Sequence, residues 1–173
     1  VLFASKRGHS KLDVIRASRL IQGYGFNLGH QIMIGLPNST LEKEITTIEK
    51  VIKINPKELR IYPVYVISPS ELYDMYIENK YEPLSLEEAI NRTYNVVKKL
   101  EETDIKVIRM GLQSTDEICS KNDKIVGPVC DNFAEYVFAR IIRDSIEEEI
   151  KNKIRNEKEK EINEICILVP SKY

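Results

Sequence analysis

Two runs decide how this chain folds: Gln31-Ile32-Met33-Ile34-Gly35-Leu36-Pro37 and Arg60-Ile61-Tyr62-Pro63-Val64-Tyr65-Val66-Ile67. Each is short and apolar, follows a helical segment and leaves through Pro, Ser or Asn. A buried parallel strand reads this way when its carboxyl end opens onto a site. The first strand is expected over 26–36 and the second over 59–67. Apolar residues of the second run do not alternate with polar ones, which argues burial on both faces. Pro63 brings no N–H to a ladder, so the strand must break or bend there.

Working outward, Ser10 and Asp13 form a capping box. The helix it opens carries Val14, Ile15, Ala17, Leu20 and Ile21 as an apolar stripe and stops at Gly23. Ser39 and Glu42 can cap the next helix, with Leu41, Ile45, Ile48 and Ile52 on its buried face and Asn55-Pro56 as its stop. A short helix is expected from Ser70 to Asn79; Tyr73, Tyr76 and Tyr81 read as packing residues with a wet hydroxyl. Ser85 and Glu88 make another capping box, and that helix is expected to reach Glu102. Ile105 to Leu112 is the third strand. Helices alternating with strands in this order mean βαβ crossovers and a parallel sheet.

Beyond Gly111 the character changes. A polar loop with Gly127-Pro128 leads to Asp131, a cap for a long helix through Phe133, Val137, Ile141, Ile142, Ile146 and Ile150. The almost wholly charged run 151–164 reads as a solvated helical face, and 165–169 as a short strand. Val1 to Lys6 reads as the tail of a helix, so the chain is expected to be a piece of a longer protein.

With 173 residues, 42% of them hydrophobic, the chain can bury one sizeable core. Lys+Arg 26 against Asp+Glu 27 leaves a net charge of −1, so no global charge argues for nucleic acid or an anionic membrane, although a local basic site stays open. No apolar run approaches the ~20 residues of a membrane span. Cys119, Cys130 and Cys166 have no metal-knuckle spacing and are odd in number, which fits reduced thiols and a cytoplasmic protein. His9 and His30 sit in no zinc-binding spacing, and Gly8-His9-Ser10-Lys11 is no phosphate loop. No catalytic residue and no metal ligand is therefore assigned. What remains is position: in parallel α/β folds ligands lie beyond the carboxyl ends of strands, here Gly35–Pro37, Val64–Ser68 and Gly111–Gln113. Gln31 and Arg109 are polar residues within apolar strands, each needing a partner if buried. Gln31 fits a core amide or a ligand contact, and Arg109 fits a surface or ion-pair role.

Taken together, Lys6-Arg7-Gly8-His9-Ser10, 13–17, Gly25-Phe26, 31–37, 60–63, 81–89 and 106–113 resemble the later part of the radical S-adenosylmethionine (radical SAM) barrel. The branch is the one shared by the Elongator catalytic subunit and oxygen-independent coproporphyrinogen oxidase, and the last pieces are closer to the Elongator side. The resemblance implies a 4Fe-4S cluster and S-adenosylmethionine in the parent protein, which cleaves the cofactor reductively to a 5′-deoxyadenosyl radical. It places the cluster's CxxxCxxC loop outside this sequence, and Cys119 and Cys130 cannot replace it. It gives Arg7 the cofactor carboxylate, Gln31 the ribose (where the coproporphyrinogen oxidases have Asp), and the backbone of Val64, Tyr65 and Val66 the adenine. Gly35, at the strand end, completes the candidate cofactor wall.

The expected fold is α/β: a partial TIM-like (β/α) barrel over 1–117, with a helical extension and terminal strand over 118–173. Its open edge strand should be covered by the terminal helix, the last strand or a second copy of the chain. The parent's substrate would be a tRNA base or a coproporphyrinogen-type molecule, with the chain inactive alone. A reading from another class is a non-catalytic interaction module whose charged terminal helix binds a partner.

Overall fold

The computed structural model describes residues 1–112 and 125–156. In chain order the elements are α1 (Lys11–Gly23), β1 (Gly29–Ile34), α2 (Leu41–Ile54), β2 (Glu58–Pro63), β3 (Val66–Ile67), α3 (Glu71–Ile77), α4 (Leu86–Lys98), β4 (Lys106–Met110), β5 (Ile125–Val126) and α5 (Phe133–Asn156). β1, β2 and β4 form a parallel sheet in that order, as the alternation of helices and strands predicts. A two-stranded antiparallel ribbon, β3 with β5, sits beside it. The sequence-expected last strand, 165–169, lies outside the described residues.

Caps account for most helix starts. Ser10 with Asp13 and Ser85 with Glu88 are reciprocal capping boxes, each satisfying two of the orphan donors of a helix N-terminus. For α2 the cap is Thr40, whose hydroxyl accepts from Lys43 N–H, and not Ser39 with Glu42. Ser39 is instead drawn to Glu44. α5 takes its first bond from Tyr136 N–H to Asn132 C=O, which puts Asn132 rather than Asp131 at its start. α4 ends at Lys98, four residues short of expectation, because Lys99 to Thr103 close through turn bonds to Val96, Val97, Lys98 and Leu100. Val1 to Arg7 forms hydrogen-bonded turns ended by Lys6 at φ 49, not a regular helix.

Both expected strands are shorter than the apolar runs that announce them. Pro63 divides the second: β2 stops there, and Val66–Ile67 pairs with β5 instead of the main sheet. The ladder's parity explains why Pro63 is tolerated. Val64 N–H donates to Ile34 C=O on one side, while Gly111 N–H donates to Ile61 C=O on the other. Odd residues of β2 thus face β4, whose pairing ends with Met110 opposite Ile61. The donor missing at Pro63 would fall past that last pair, so its loss breaks no bond within β4.

One layer of helices covers one face of the sheet. Ile34, Leu59 and Ile61 point into it and pack with Ile48 and Val51 of α2, Ala89 and Val96 of α4, and Phe133 and Val137 of α5. The extension therefore shares its core with the strands. Gly111 sits at the end of β4 with φ +80, and a Cβ there would lie 2.9 Å from the Phe133 Cβ, so the close seat of α5 requires glycine. At the other margin β1 is the outermost strand, and the α1 stripe is largely uncovered: Val14 is 36%, Leu20 62% and Ile21 38% exposed. Its spacing predicts a helix correctly, but nothing among the described residues lies beyond β1 for that stripe to bury against.

Ile61 is fully buried at the centre of this core. Ile61→Ala should destabilise the chain by about 2–5 kcal/mol in urea unfolding monitored by circular dichroism, the cost of lost transfer energy plus a cavity.

Candidate functional site

The carboxyl end of β1 is built around a buried carboxylate. Glu44, on the first turn of α2, is 4% exposed. Its Oε1 accepts from Gly35 N–H at 2.8 Å and from the Ser39 hydroxyl at 2.9 Å, and Arg92 of α4 approaches to 3.5 Å. On the far side of the turn the Tyr81 hydroxyl donates to Gly35 C=O at 2.6 Å. Burial pushes the Tyr81 phenol up to about 12, so it stays a donor at neutral pH. Gly35 itself has φ +86, and a Cβ there would meet Leu84 Cδ1 at 2.8 Å. Both backbone groups of Gly35 are thus engaged within the protein, and its place is to turn the chain.

Among the described residues no helix packs over the sheet face away from α2, α4 and α5, although Tyr62 on it is buried. Gln31, Arg60 and Arg109 are Cα partners in one row across β1, β2 and β4, and all three are exposed. The exposure of Arg109 fits the surface or ion-pair role its place in the sequence suggests. Arg109 reaches this face through an irregularity in the ladder: Val107 and Met110 enter the core while Ile108 and Arg109 stay out. One row toward the carboxyl end, Arg7 Nη2 lies 2.9 Å from Met33 Sδ, over the same face as Gln31. The geometry brings Arg7 and Gln31 of the expected site together.

Val64, Tyr65 and Val66 are all buried, beneath the 125–130 segment. Val64 N–H is given to Ile34 C=O, the Tyr65 hydroxyl accepts from Cys130 N–H at 3.4 Å, and Val66 pairs with Val126. A Cβ on Gly127 would lie 3.1 Å from Val64 C=O, which is how close that segment comes. Burial pushes the Tyr65 phenol up. The groove that lines Arg7 and Gln31 does not include Val64, Tyr65 or Val66.

A groove of about 660 Å³ follows the outer edge of β1, lined by Arg7, His30, Gln31, Met33, Leu36 and Val51 among others. Leu28 and Ile34 carbonyls accept from β2, so alternation turns the backbone groups of Gly29, Gln31 and Met33 toward this edge. His30, on the helix side of the strand, holds α1. The Ser18 hydroxyl donates to Val14 C=O, so its 2.9 Å contact with His30 must be Nε2–H donating to Ser18 Oγ.

Sequence reasoning did not find Glu44 or Arg92, and it read Tyr81 as a packing residue with a wet hydroxyl, whereas that hydroxyl donates to Gly35 C=O. An acidic residue in the first turn of a helix is what any amphipathic helix offers there, and only the fold reveals that it points inward. Arg60 was legible as a strand residue, and its row was not, because register joins residues distant in sequence. Cys119, Cys166 and Gln113 lie outside the described residues.

Comparison with known proteins adds three findings. Residues 56–164 match the radical SAM C-terminal domain family. The chain is 33% identical over 93 residues to the tRNA uridine(34) acetyltransferase of Methanocaldococcus jannaschii, and equally to that of Methanocaldococcus infernus, covering 52% of itself and 17% of each relative. It superposes on the solved structure of Methanocaldococcus infernus Elp3 with an N-terminal deletion, with a TM-score of 0.72 and 26% identity, over 83% of this chain and 33% of that one.

Two outcomes follow from this geometry. Glu44→Ala should cost about 3–5 kcal/mol, since it leaves the Arg92 charge and Gly35 N–H unpaired; Glu44→Gln, which keeps an acceptor for Gly35, should cost clearly less in the same urea titration. Burial holds His30 below its ordinary 6.5, so the unfolded chain takes up the proton first as pH falls. Its contribution is present above 6.5 and lost as pH drops through the lower folded value. His30→Gln should therefore flatten the fall in stability between about pH 7.5 and 5 relative to the parent chain.

Proposed function

The chain belongs to the radical SAM C-terminal domain family, and we propose that it forms part of the S-adenosylmethionine-binding wall of a longer iron–sulfur oxidoreductase that modifies tRNA. The match to Elp3 over 83% of this chain is the observation that carries this reading, and the tRNA-modifying relatives supply the substrate class. The chain spans only 17% of those relatives, so the activity proposed is that of a larger protein.

When bound, S-adenosylmethionine supplies a 5′-deoxyadenosyl radical on reductive cleavage. This chain's residues bind and orient. The Arg7 guanidinium suits a carboxylate through paired N–H donors. The Gln31 amide, exposed on the same face, can bond a ribose hydroxyl but brings no charge. Val64, Tyr65 and Val66 offer backbone groups to adenine; with Val64 N–H committed to Ile34, the contact would use the remaining ones. Gly35 contributes the turn that brings the strand end round.

Cluster ligation is a different matter. A 4Fe-4S cluster of this family calls for three closely spaced thiolates, and Cys119, Cys130 and Cys166 have no such spacing. Among the described residues no group of three His, Cys, Asp or Glu side chains could hold a metal. The chain is read as a wall, inactive alone. Its continuation would attach at the outer edge of β1, through further strands of the longer protein or through a second copy of this chain. Among the described residues no helix is long and apolar enough to cross a membrane.

Calorimetric or NMR titration of the chain with S-adenosylmethionine tests the wall directly. Arg7→Ala should weaken binding about tenfold, one charge-assisted hydrogen bond, and Gln31→Ala a few-fold. Affinity indifferent to both substitutions would remove these residues from the wall.

A further inference from the structure

We infer that α3 is a hinged cover at the carboxyl end of the sheet, closed across the candidate wall by the Lys6–Glu71 ion pair. That the wall takes a cofactor rests on the reading above; the latch does not.

Placement is the first observation. The chain enters α3 from β3, which begins at Val66. The first residue of the helix, Glu71, meets Lys6 at 2.7 Å, and Lys6 is the neighbour of Arg7. The chain that leaves α3 crosses the Gly35 turn. There the Tyr81 hydroxyl donates to Gly35 C=O at 2.6 Å, and Leu84 packs against the glycine. One short helix thus joins the three pieces of the wall.

Weak attachment is the second. No residue of α3 is buried, and Leu72, Tyr73, Met75 and Tyr76 are only half-buried. Its main packing partner is β3, itself two residues long. An element with so little apolar burial opens locally, well below the global unfolding free energy. The two tethers differ in kind. On the Gly35 side the helix ends at Asn79, with φ 56, and Lys80 and Tyr81 N–H both donate to Met75 C=O. This left-handed cap, followed by the pinned Tyr81, makes a fixed pivot. On the other side the Lys6 and Glu71 side chains are 68% and 69% exposed, so their bond breaks and re-forms at little cost. Among the described residues that bond is the only side-chain hydrogen bond or ion pair from α3 to the rest of the chain. A pivot at one end and a releasable bond at the other are the parts of a lid.

Native-state amide hydrogen exchange of the 173-residue chain, read by NMR, tests the latch with no ligand present. Amides of α3 should exchange through an opening that urea barely affects, while those of β2 exchange only with global unfolding. Lys6→Glu and Glu71→Lys should each speed α3 exchange about two- to fivefold and leave the urea midpoint unchanged. The double swap should restore the parent rate. With S-adenosylmethionine added, both single reversals should speed its association and its dissociation. The two reversals shift local charge in opposite directions, so a shared effect reports the latch and not the local field. Exchange of α3 only together with β2, exchange unmoved by the reversals, or a double swap as fast as the single ones overturns the latch. Binding that Arg7→Ala weakens but whose rates ignore both reversals overturns the cover and leaves the wall standing. Latch-dependent opening in a chain that ignores S-adenosylmethionine keeps the hinged element and removes the cofactor wall.

Discussion

A parallel sheet has no hairpins, so its strands are held in order by what packs across them. Here that is a single layer of helices over one face, with Leu59 and Ile61 of the central strand fully buried beneath it. Every other feature follows from this one-sided arrangement. Alternation sends Leu59 and Ile61 into the core and Arg60 out onto the opposite face. The core lies on one side of the sheet and polar chemistry on the other, with the strands as a partition one residue thick. Substitutions at exposed positions of that face, such as Gln31 and Arg60, therefore open no cavity in the core.

The carboxyl end of the partition is tied by charge and not by apolar contact. Glu44 reaches from α2 to the Gly35 turn and to Arg92 of α4, while Tyr81 holds the turn from the other side. Four separate stretches of chain meet at one glycine. Burying a carboxylate is costly unless its bonds are made, and a network of this kind fixes one geometry where apolar packing would tolerate several.

The features legible in the sequence were those written locally. Capping boxes at Ser10 and Ser85 need only residues three apart, and the alternation of helices with apolar runs announces a parallel sheet. Pro63 told its own story, since a missing N–H breaks a ladder wherever it stands. Features that depend on partners distant in sequence stayed hidden. The inward aim of Glu44 and the Gln31–Arg60–Arg109 row both depend on register or on what packs against the sheet. The α1 stripe is exposed where burial was expected, because nothing among the described residues lies beyond β1 to cover it. The sequence offers the candidate site as a place, the carboxyl ends of strands, and Arg7 and Gln31 as separate residues. Their juxtaposition over Met33 became visible only in three dimensions.

Pro63 has one further consequence. Two neighbouring parallel strands of apolar residues could slide past each other by two residues and still present the same faces. For β2 against β4, such a slip toward the start of β4 would carry Pro63 opposite Met110, into a position that must donate a hydrogen bond, and it has none to give. The proline thus acts as a ratchet tooth on the central strand, fixing which arginine stands beside which.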